Sequence, residues 1–193
     1  FWAYNRGKKT ITPNLQTPEG KEIFLALSKK ADVVLDNYRP GVMKKLGIDY
    51  DTVSTTNPRV IYLSITGTGP TGPYVKRPAY DTVGQGLGGM LSLLMDAKDP
   101  RPIGPNYADS LSGMFACIGV LGAIAARART GKGQQVDTTM AGSTLAFLIA
   151  PATDALATGK APGPYTRPMQ SQTYAFSGSD GLAFAIHLSS PQK

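Results

Sequence analysis

Asn106-Tyr107-Ala108-Asp109-Ser110 runs straight into a long apolar stretch that closes on the basic glycine turn Thr130-Gly131-Lys132-Gly133-Gln134. This order places a carboxylate where a helix should begin. The first turn of a helix has unpaired backbone N–H groups and a partial positive charge, so a carboxylate there stays ionised and aimed, as a nucleophile or base must be. The same pattern also describes an ordinary helix cap. The neighbouring motifs have to decide between the two readings.

Other reactive side chains are few. The one cysteine, Cys117, lies inside Met114-Phe115-Ala116-Cys117-Ile118, a setting that predicts core packing rather than thiolate chemistry and leaves no intrachain disulfide. The one histidine, His187, sits in an alternating, strand-like run. Without more His or Cys near it, no metal site is expected. Arg39, Lys44, Lys45, Lys76 and Arg77 fall on or near loops and could hold phosphates, or could be solvated surface charge. Gly67-Thr68-Gly69-Pro70-Thr71-Gly72 fits the dinucleotide fingerprint in letters only. Its prolines deny the helix whose N–H groups would face a pyrophosphate. Gly84-Gln85-Gly86-Leu87-Gly88-Gly89 fits again, but no strand precedes it.

The elements that must carry these residues alternate. Thr17-Pro18-Glu19 starts a helix running to about Lys30, with Ile23, Leu27 and Ala31 as its apolar face. Val33-Val34-Leu35 reads as a strand buried on both faces, followed by the loop Asn37-Tyr38-Arg39-Pro40-Gly41. Short helices are expected over Val42–Leu46 and Tyr50–Thr55, then a strand over Val60–Ile65. Gly67–Pro78 is a loop, Thr82–Met95 a helix, and Asp96–Asn106 a proline-rich loop. The longest helix covers Asp109–Arg129, with Met114, Ile118, Leu121 and Ala125 in register and a run of small residues that predicts close packing. A strand over Gln134–Met140, a helix over Ser143–Ala157 and a hairpin of Thr173–Phe176 with Leu182–Leu188 complete the pattern. The fold class expected is α/β, a Rossmann-like parallel sheet with helices on both faces. In such sheets ligands collect at the carboxyl ends of strands, which directs attention to the loops after Leu35 and Ile65.

The 193 residues hold 20 Lys and Arg against 13 Asp and Glu, a net charge of +7 that favours anionic partners. No aromatic-interleaved basic strand, zinc finger or basic helix points to nucleic acid. The apolar stretch Met114–Ala126 is too short to span a bilayer, so no membrane partner is expected. A chain opening on Phe1-Trp2-Ala3-Tyr4-Asn5-Arg6 without Met, and closing on Ser189–Lys193 just after a strand, reads as a segment of a larger protein.

Taken in order, the loops resemble the family III CoA-transferases, the CaiB/BaiF family that includes formyl-CoA transferase and the α-methylacyl-CoA racemases. The resemblance rests on Asn5-Arg6-Gly7-Lys8-Lys9-Thr10-Ile11, Thr17-Pro18-Glu19-Gly20, Ala31 through Val42, Asn57-Pro58-Arg59-Val60-Ile61, Ser64-Ile65-Thr66-Gly67, Thr71-Gly72-Pro73-Tyr74, Ala108-Asp109 and Thr130 through Asp137.

That resemblance implies an enzyme that moves coenzyme A from an acyl-CoA donor to a carboxylic acid acceptor, a cytoplasmic and interlocked homodimer with no metal. It implies that residues 1–158 form part of a large CoA-binding domain, 159–172 a linker and 173–193 the start of a small domain. It makes Asp109 the nucleophile, which passes through an aspartyl anhydride and an aspartyl-CoA thioester. It places CoA against Pro13, Asn14, Leu15, Gln16, Asn37, Tyr38, Arg39 and Lys45, with Ala79, Tyr80 and Asp81 beside the thioester. Racemase members carry His where this chain has Tyr80. A phenol, with an ordinary pKa of ~10, is a poor proton shuttle near neutrality, which favours transfer over racemisation of 2-methylacyl-CoA. A non-catalytic CoA-binding fragment is the remaining alternative.

Overall fold

In the computed structural model, which describes residues 1–102 and 104–188, contacts divide the chain into two compact units. The tail read at Ser189–Lys193 and residue 103 of the loop read at Asp96–Asn106 lie outside the described residues. The first unit is Phe1–Pro78 with Gly113–Thr139, and the second is Ala79–Ser112 with Met140–Lys193.

The first unit holds α1 (Trp2–Asn5), α2 (Pro18–Ser28), β1 (Val33–Asp36), α3 (Val42–Leu46), α4 (Tyr50–Thr56) and β2 (Ile61–Thr66). After the α5 (Asp81–Leu87) and α6 (Met90–Leu94) helices of the second unit comes α7 (Tyr107–Thr130), which begins in the second unit and continues into the first, where β3 (Gln135–Thr139) follows it. The three strands form a parallel sheet in the order β1-β2-β3, with Val34 opposite Tyr62 and Leu63 opposite Val136. A parallel sheet with helical crossovers is the α/β arrangement that the strand–helix alternation predicts.

Local chemistry sets the boundaries. Thr17 Oγ1 accepts the Gly20 N–H at 3.2 Å and Pro18 opens α2, as the sequence predicts. The buried face of α2 differs from the expected one. Gly20 and Ser28 are buried and Phe24 and Leu25 pack on the core, whereas Ile23 and Leu27 are exposed. The apolar residues of α2 divide between two faces, and that of Phe24 and Leu25 meets the core, while Gly20 fits under the preceding turn, where a Cβ would collide with the Asn14 carbonyl. The core beneath it is Val34, Met43, Ile48, Val53, Val60 and Tyr62.

Tyr62 is fully enclosed, and its hydroxyl donates to the Ile48 carbonyl at 2.9 Å. Burial, reinforced by the nearby Asp36 and Asp49 carboxylates, pushes its pKa far above the ordinary phenol value.

Helix α7 also turns its small side inward. In the first unit Ala116 and Ala123 are buried and Gly119 lies against Val136, so close that a Cβ would sit 2.8 Å from its Cγ1. Met114, Ile118, Leu121 and Ala125, expected as the core stripe, are exposed. Small side chains let the helix axis approach the sheet, and the large ones are left on the opposite flank. Leu35 is 59 % exposed rather than buried, and Cys117 is exposed rather than packed in the core. Both line an apolar groove of about 300 Å³ with Val33, Leu63, Val120 and Leu121. At 24 residues α7 is long and apolar enough to cross a membrane, which corrects the expectation of too short a stretch. Its end is tied to the sheet: Arg127 pairs with Asp32 at 2.9 Å and donates to the Arg59 carbonyl at 2.9 Å.

In the second unit α8 (Met140–Phe147) and α9 (Ile149–Thr158) replace the single helix read over Ser143–Ala157 and meet at a bend of 80°. Pro151 has no N–H and its ring clashes with the carbonyl four residues back, so α8 stops at Phe147. The helix read over Thr82–Met95 breaks in the same way into α5 and α6, at Gly89 with φ 84°. A further helix, α10 (Thr166–Ser171), falls inside the segment read as a linker. The antiparallel hairpin of β4 (Thr173–Ser177) and β5 (Ala183–His187) matches the expected one.

The core tyrosine gives a direct test. Tyr62→Phe leaves the Ile48 carbonyl without its donor and is expected to destabilise the protein by about 1–3 kcal/mol in denaturant titrations. A phenol whose pKa is raised by folding contributes stability that is complete below its unfolded pKa of 10.0 and lost as pH rises above it. Stability should therefore fall more steeply above that pH in the parent than in the phenylalanine variant.

Candidate active site at the start of the long helix

The first turn of α7 is built by backbone bonding. The Ser110 N–H donates to the Asn106 carbonyl at 3.1 Å, the first bond of the helix, which makes Asn106 the cap residue and Asp109 the third residue of the turn. The Asp109 N–H is one of the groups with no partner inside its own helix. It donates instead to Asp81 Oδ1 at 3.1 Å, a residue 28 positions earlier in the chain. A carboxylate from α5 thus caps α7, in a role usually filled by the cap residue itself.

Asp81 is half-buried and its second oxygen is also engaged. Gln85 Nε2, one turn along α5, donates to Asp81 Oδ2 at 2.5 Å. Gln85 is only 4 % exposed, and its Oε1 is buried with no hydrogen-bond partner among the described residues. Such an orphaned acceptor costs roughly 1–3 kcal/mol.

Glycine spacing brings α5 close enough for this. A Cβ on Gly84 would lie 2.9 Å from the Cβ atoms of both Ala108 and Met140, and one on Gly88 would collide with Thr144. Ala108 is fully buried at this contact, and Ser112 closes the turn by donating its hydroxyl to the Ala108 carbonyl at 2.6 Å.

The Asp109 side chain points away from this packing. It is exposed, and no group among the described residues hydrogen-bonds its carboxylate. Tyr80, at the cap position of α5, is 76 % exposed, and Ala79 beside it is half-buried. Tyr80, Asp81 and Asp109 thus fall on two helix starts of one unit, linked by the Asp81–Asp109 bond.

The residues expected to grip a nucleotide lie in the first unit. Tyr38 and Arg39 line a cavity of about 210 Å³ with Lys44, Tyr50, Ser64 and Thr66, beyond the carboxyl end of β1. Asn37 and Lys45 are exposed and do not line it, and neither do Pro13, Asn14, Leu15 and Gln16. The turn from Asn14 to Gln16 is held by its own bond, from the Gln16 N–H to Asn14 Oδ1 at 3.0 Å.

The cavity is less basic than the sequence suggested, because Asp36, Asp49, Asp51 and Asp137 also face it. Asp36 is buried and accepts from the Tyr38 N–H at 3.1 Å and the Ser64 hydroxyl at 2.8 Å, fixing the loop that carries Tyr38 and Arg39. Arg77 stacks over Tyr74 with its guanidinium carbon 4.9 Å from the ring centre. The Gly67–Gly72 run opens no helix, as its prolines predict. Among the described residues no cluster of metal-ligating side chains is present.

Sequence reasoning missed Asp36 and Gln85. Asp36, at a strand end before an Asn-Tyr-Arg loop, could have been found as a loop-closing acceptor. Gln85 sits in a glycine-rich run with no local signal.

Known proteins converge on one family. The profile of CoA-transferase family III matches residues 1–193. An acetyl-CoA:oxalate CoA-transferase of Acetobacter aceti is 42% identical over 176 residues, covering 87% of this chain and 45% of that protein. A succinate–glutarate CoA-transferase of Agrobacterium fabrum is 37% identical over 138 residues, covering 71% and 34%. A crystal structure of a CaiB/BaiF family protein from Brucella suis superposes with a TM-score of 0.82 at 39% identity, covering 91% of this chain and 47% of that one. The chain thus spans about half the length of the relatives it matches, or less.

The close helix contact is open to test. Gly84→Ala should force α5 away from Ala108 and Met140 and lower stability by roughly 1–3 kcal/mol, measured as a shift in denaturation midpoint. An unchanged midpoint would mean that the helices are not pressed together at this glycine.

Proposed function

The chain belongs to the family III CoA-transferases, and on that footing we propose that it carries the nucleophile and part of the CoA-binding surface of an enzyme that moves coenzyme A from an acyl-CoA to a small carboxylate. The observation that supports this most is the state of Asp109: exposed, in the first turn of a 24-residue helix, with its carboxylate unpaired among the described residues.

A carboxylate is a weak nucleophile in water because hydration holds its charge. The N-terminal field of a helix stabilises the anion without wrapping it in hydrogen bonds, so an oxygen stays available. In the proposed sequence, an Asp109 oxygen attacks the acyl-CoA carbonyl carbon, the C–S bond breaks, and CoA leaves as thiolate from a mixed anhydride. The thiolate then attacks the Asp109 carbonyl carbon of that anhydride, releasing the donor acid and leaving an aspartyl-CoA thioester. The acceptor carboxylate repeats the two steps in reverse order, taking CoA and restoring Asp109. Both anhydrides and the enzyme thioester are activated acyl species, so the acyl activation of the donor is carried through each exchange and one difficult transfer becomes several easier ones.

The motif match to the family supplies the remaining roles. Pro13, Asn14, Leu15, Gln16, Asn37, Tyr38, Arg39 and Lys45 are proposed CoA contacts, with Arg39 and Lys45 meeting phosphate charge. Ala79, Tyr80 and Asp81 are proposed beside the thioester. The relatives' names supply the acceptor class: oxalate, succinate and glutarate are short dicarboxylates, and a panel of such acids is the first screen. A cytoplasmic homodimer belongs to the same proposal. Racemisation is the weaker reading, because Tyr80 stands where that activity uses an imidazole.

In the intact protein, Asp109→Ala should reduce CoA transfer by on the order of 10³-fold or more while leaving acyl-CoA binding measurable. Full activity in this variant would end the assignment. Exchange of the α-hydrogen of 2-methylacyl-CoA with solvent deuterium, with no acceptor acid present, would move the reading to a racemase. Tight CoA binding with no turnover on any acid would leave a binding protein.

A further inference from the structure

We infer that Asp81 is a positioning residue for the Asp109 nucleophile, held in that role by the buried amide of Gln85. This rests on the reading of Asp109 as the nucleophile and assigns Asp81 a task beyond the neighbourhood of the thioester.

Three observations carry it. Asp81 Oδ1 accepts from the backbone N–H of Asp109 itself, at 3.1 Å, rather than from a neighbouring residue of the turn. That bond fixes the peptide unit from which the Asp109 side chain springs, so it sets where the reacting oxygens can be. It also engages the Asp109 amide with a partner other than Asp109's own side chain, whose carboxylate is exposed and unpaired among the described residues.

The second observation is Gln85. Its amide nitrogen holds Asp81 Oδ2 while its oxygen is buried without a partner among the described residues. An apolar side chain of similar shape would avoid the orphaned acceptor but would leave Asp81 Oδ2 without its donor, so the orphaned oxygen offsets the bond and what remains is the orientation of Asp81.

The third is the glycine contact. Gly84 lies between Asp81 and Gln85 in chain order and sets α5 against Ala108, the residue just before Asp109, so closely that a Cβ on it would lie 2.9 Å from that of Ala108. Two separate linkages, one polar and one steric, therefore join the same turn of α5 to the same turn of α7. A reacting group misplaced by about 1 Å can cost on the order of 10²-fold in rate, so this double hold acts on kcat.

The test uses the intact protein and measures kcat, KM for acyl-CoA, the acyl adduct on Asp109 and the melting temperature. Asp81→Ala should lower kcat by roughly 10- to 100-fold with KM changed by no more than about twofold. Asp81→Asn should recover most of that loss: its Oδ1 still accepts from Asp109, and the Gln85 amide can turn over so that its oxygen accepts from the new amide. Gln85→Leu separates positioning from stability. It should lower kcat while leaving the melting temperature level or higher, a combination that a purely structural cap does not give.

A kcat within about twofold of the parent in both Asp81→Ala and Gln85→Leu would overturn the role. So would an Asp81→Asn variant as impaired as Asp81→Ala with KM raised in step, which would make Asp81 a substrate contact. If the unsubstituted protein forms no acyl adduct at Asp109, the nucleophile reading fails first and this role with it. If the adduct forms and the Asp81 variants turn over normally, the role fails alone.

Discussion

The N-terminal turn of α7 has amide groups that no residue of the helix can satisfy, and the account of this protein depends on what meets them. Here it is the Asp81 carboxylate, bonded to the Asp109 N–H. The arrangement uses one carboxylate to satisfy the turn and leaves a second, that of Asp109 itself, unpaired among the described residues. If Asp109 had to cap its own helix, its oxygens would be occupied by backbone donors. Delegating the cap to α5 separates the structural task from the chemical one proposed for Asp109.

The rest of the described structure can be read from the same constraint of close approach. Helices here come near each other and the sheet at small residues: Gly84 against Ala108 and Met140, Gly119 against Val136. Side chains that would be core residues elsewhere consequently point outward along α7, and Leu35, Cys117 and Leu121 line an open apolar groove. At these contacts of α5 and α7, helix position is governed by backbone proximity more than by large interdigitating side chains. Such contacts tolerate little: one added methyl at Gly84 meets two neighbours at once.

Much of this was legible in the sequence. The parallel sheet, the Thr17 cap, the hairpin and the helix opening near Asp109 follow from periodicity, turn residues and capping chemistry. Where periodicity failed, it failed in phase. Met114 and Ile118 have core spacing, but alanine and glycine on the other face of α7 dock closer and take the inside, and in α2 the inside goes to Phe24 and Leu25 rather than to Ile23 and Leu27. The helix breaks at Leu148 and Gly88-Gly89 fall inside runs whose apolar residues continue on both sides, although Pro151 and the paired glycines mark them. At the site, Asp109 could be singled out because its own turn and its motif announce it. Its bond to Asp81 spans 28 positions, and Gln85 lies in a glycine-rich run, so neither partnership leaves a local trace.

The measurement that bears most directly on the account is the fate of oxygen during turnover. The acceptor acid is labelled with ¹⁸O in its carboxylate and CoA transfer is run to many turnovers in unlabelled water. The peptide containing Asp109 is then isolated and weighed. In the proposed sequence of steps, the bridging oxygen of the second anhydride comes from the acceptor and stays with the aspartate when CoA departs with the acyl group. The account predicts ¹⁸O in the Asp109 carboxylate and nowhere else in the chain. Transfer of CoA to the labelled acid with no label at Asp109 would contradict it.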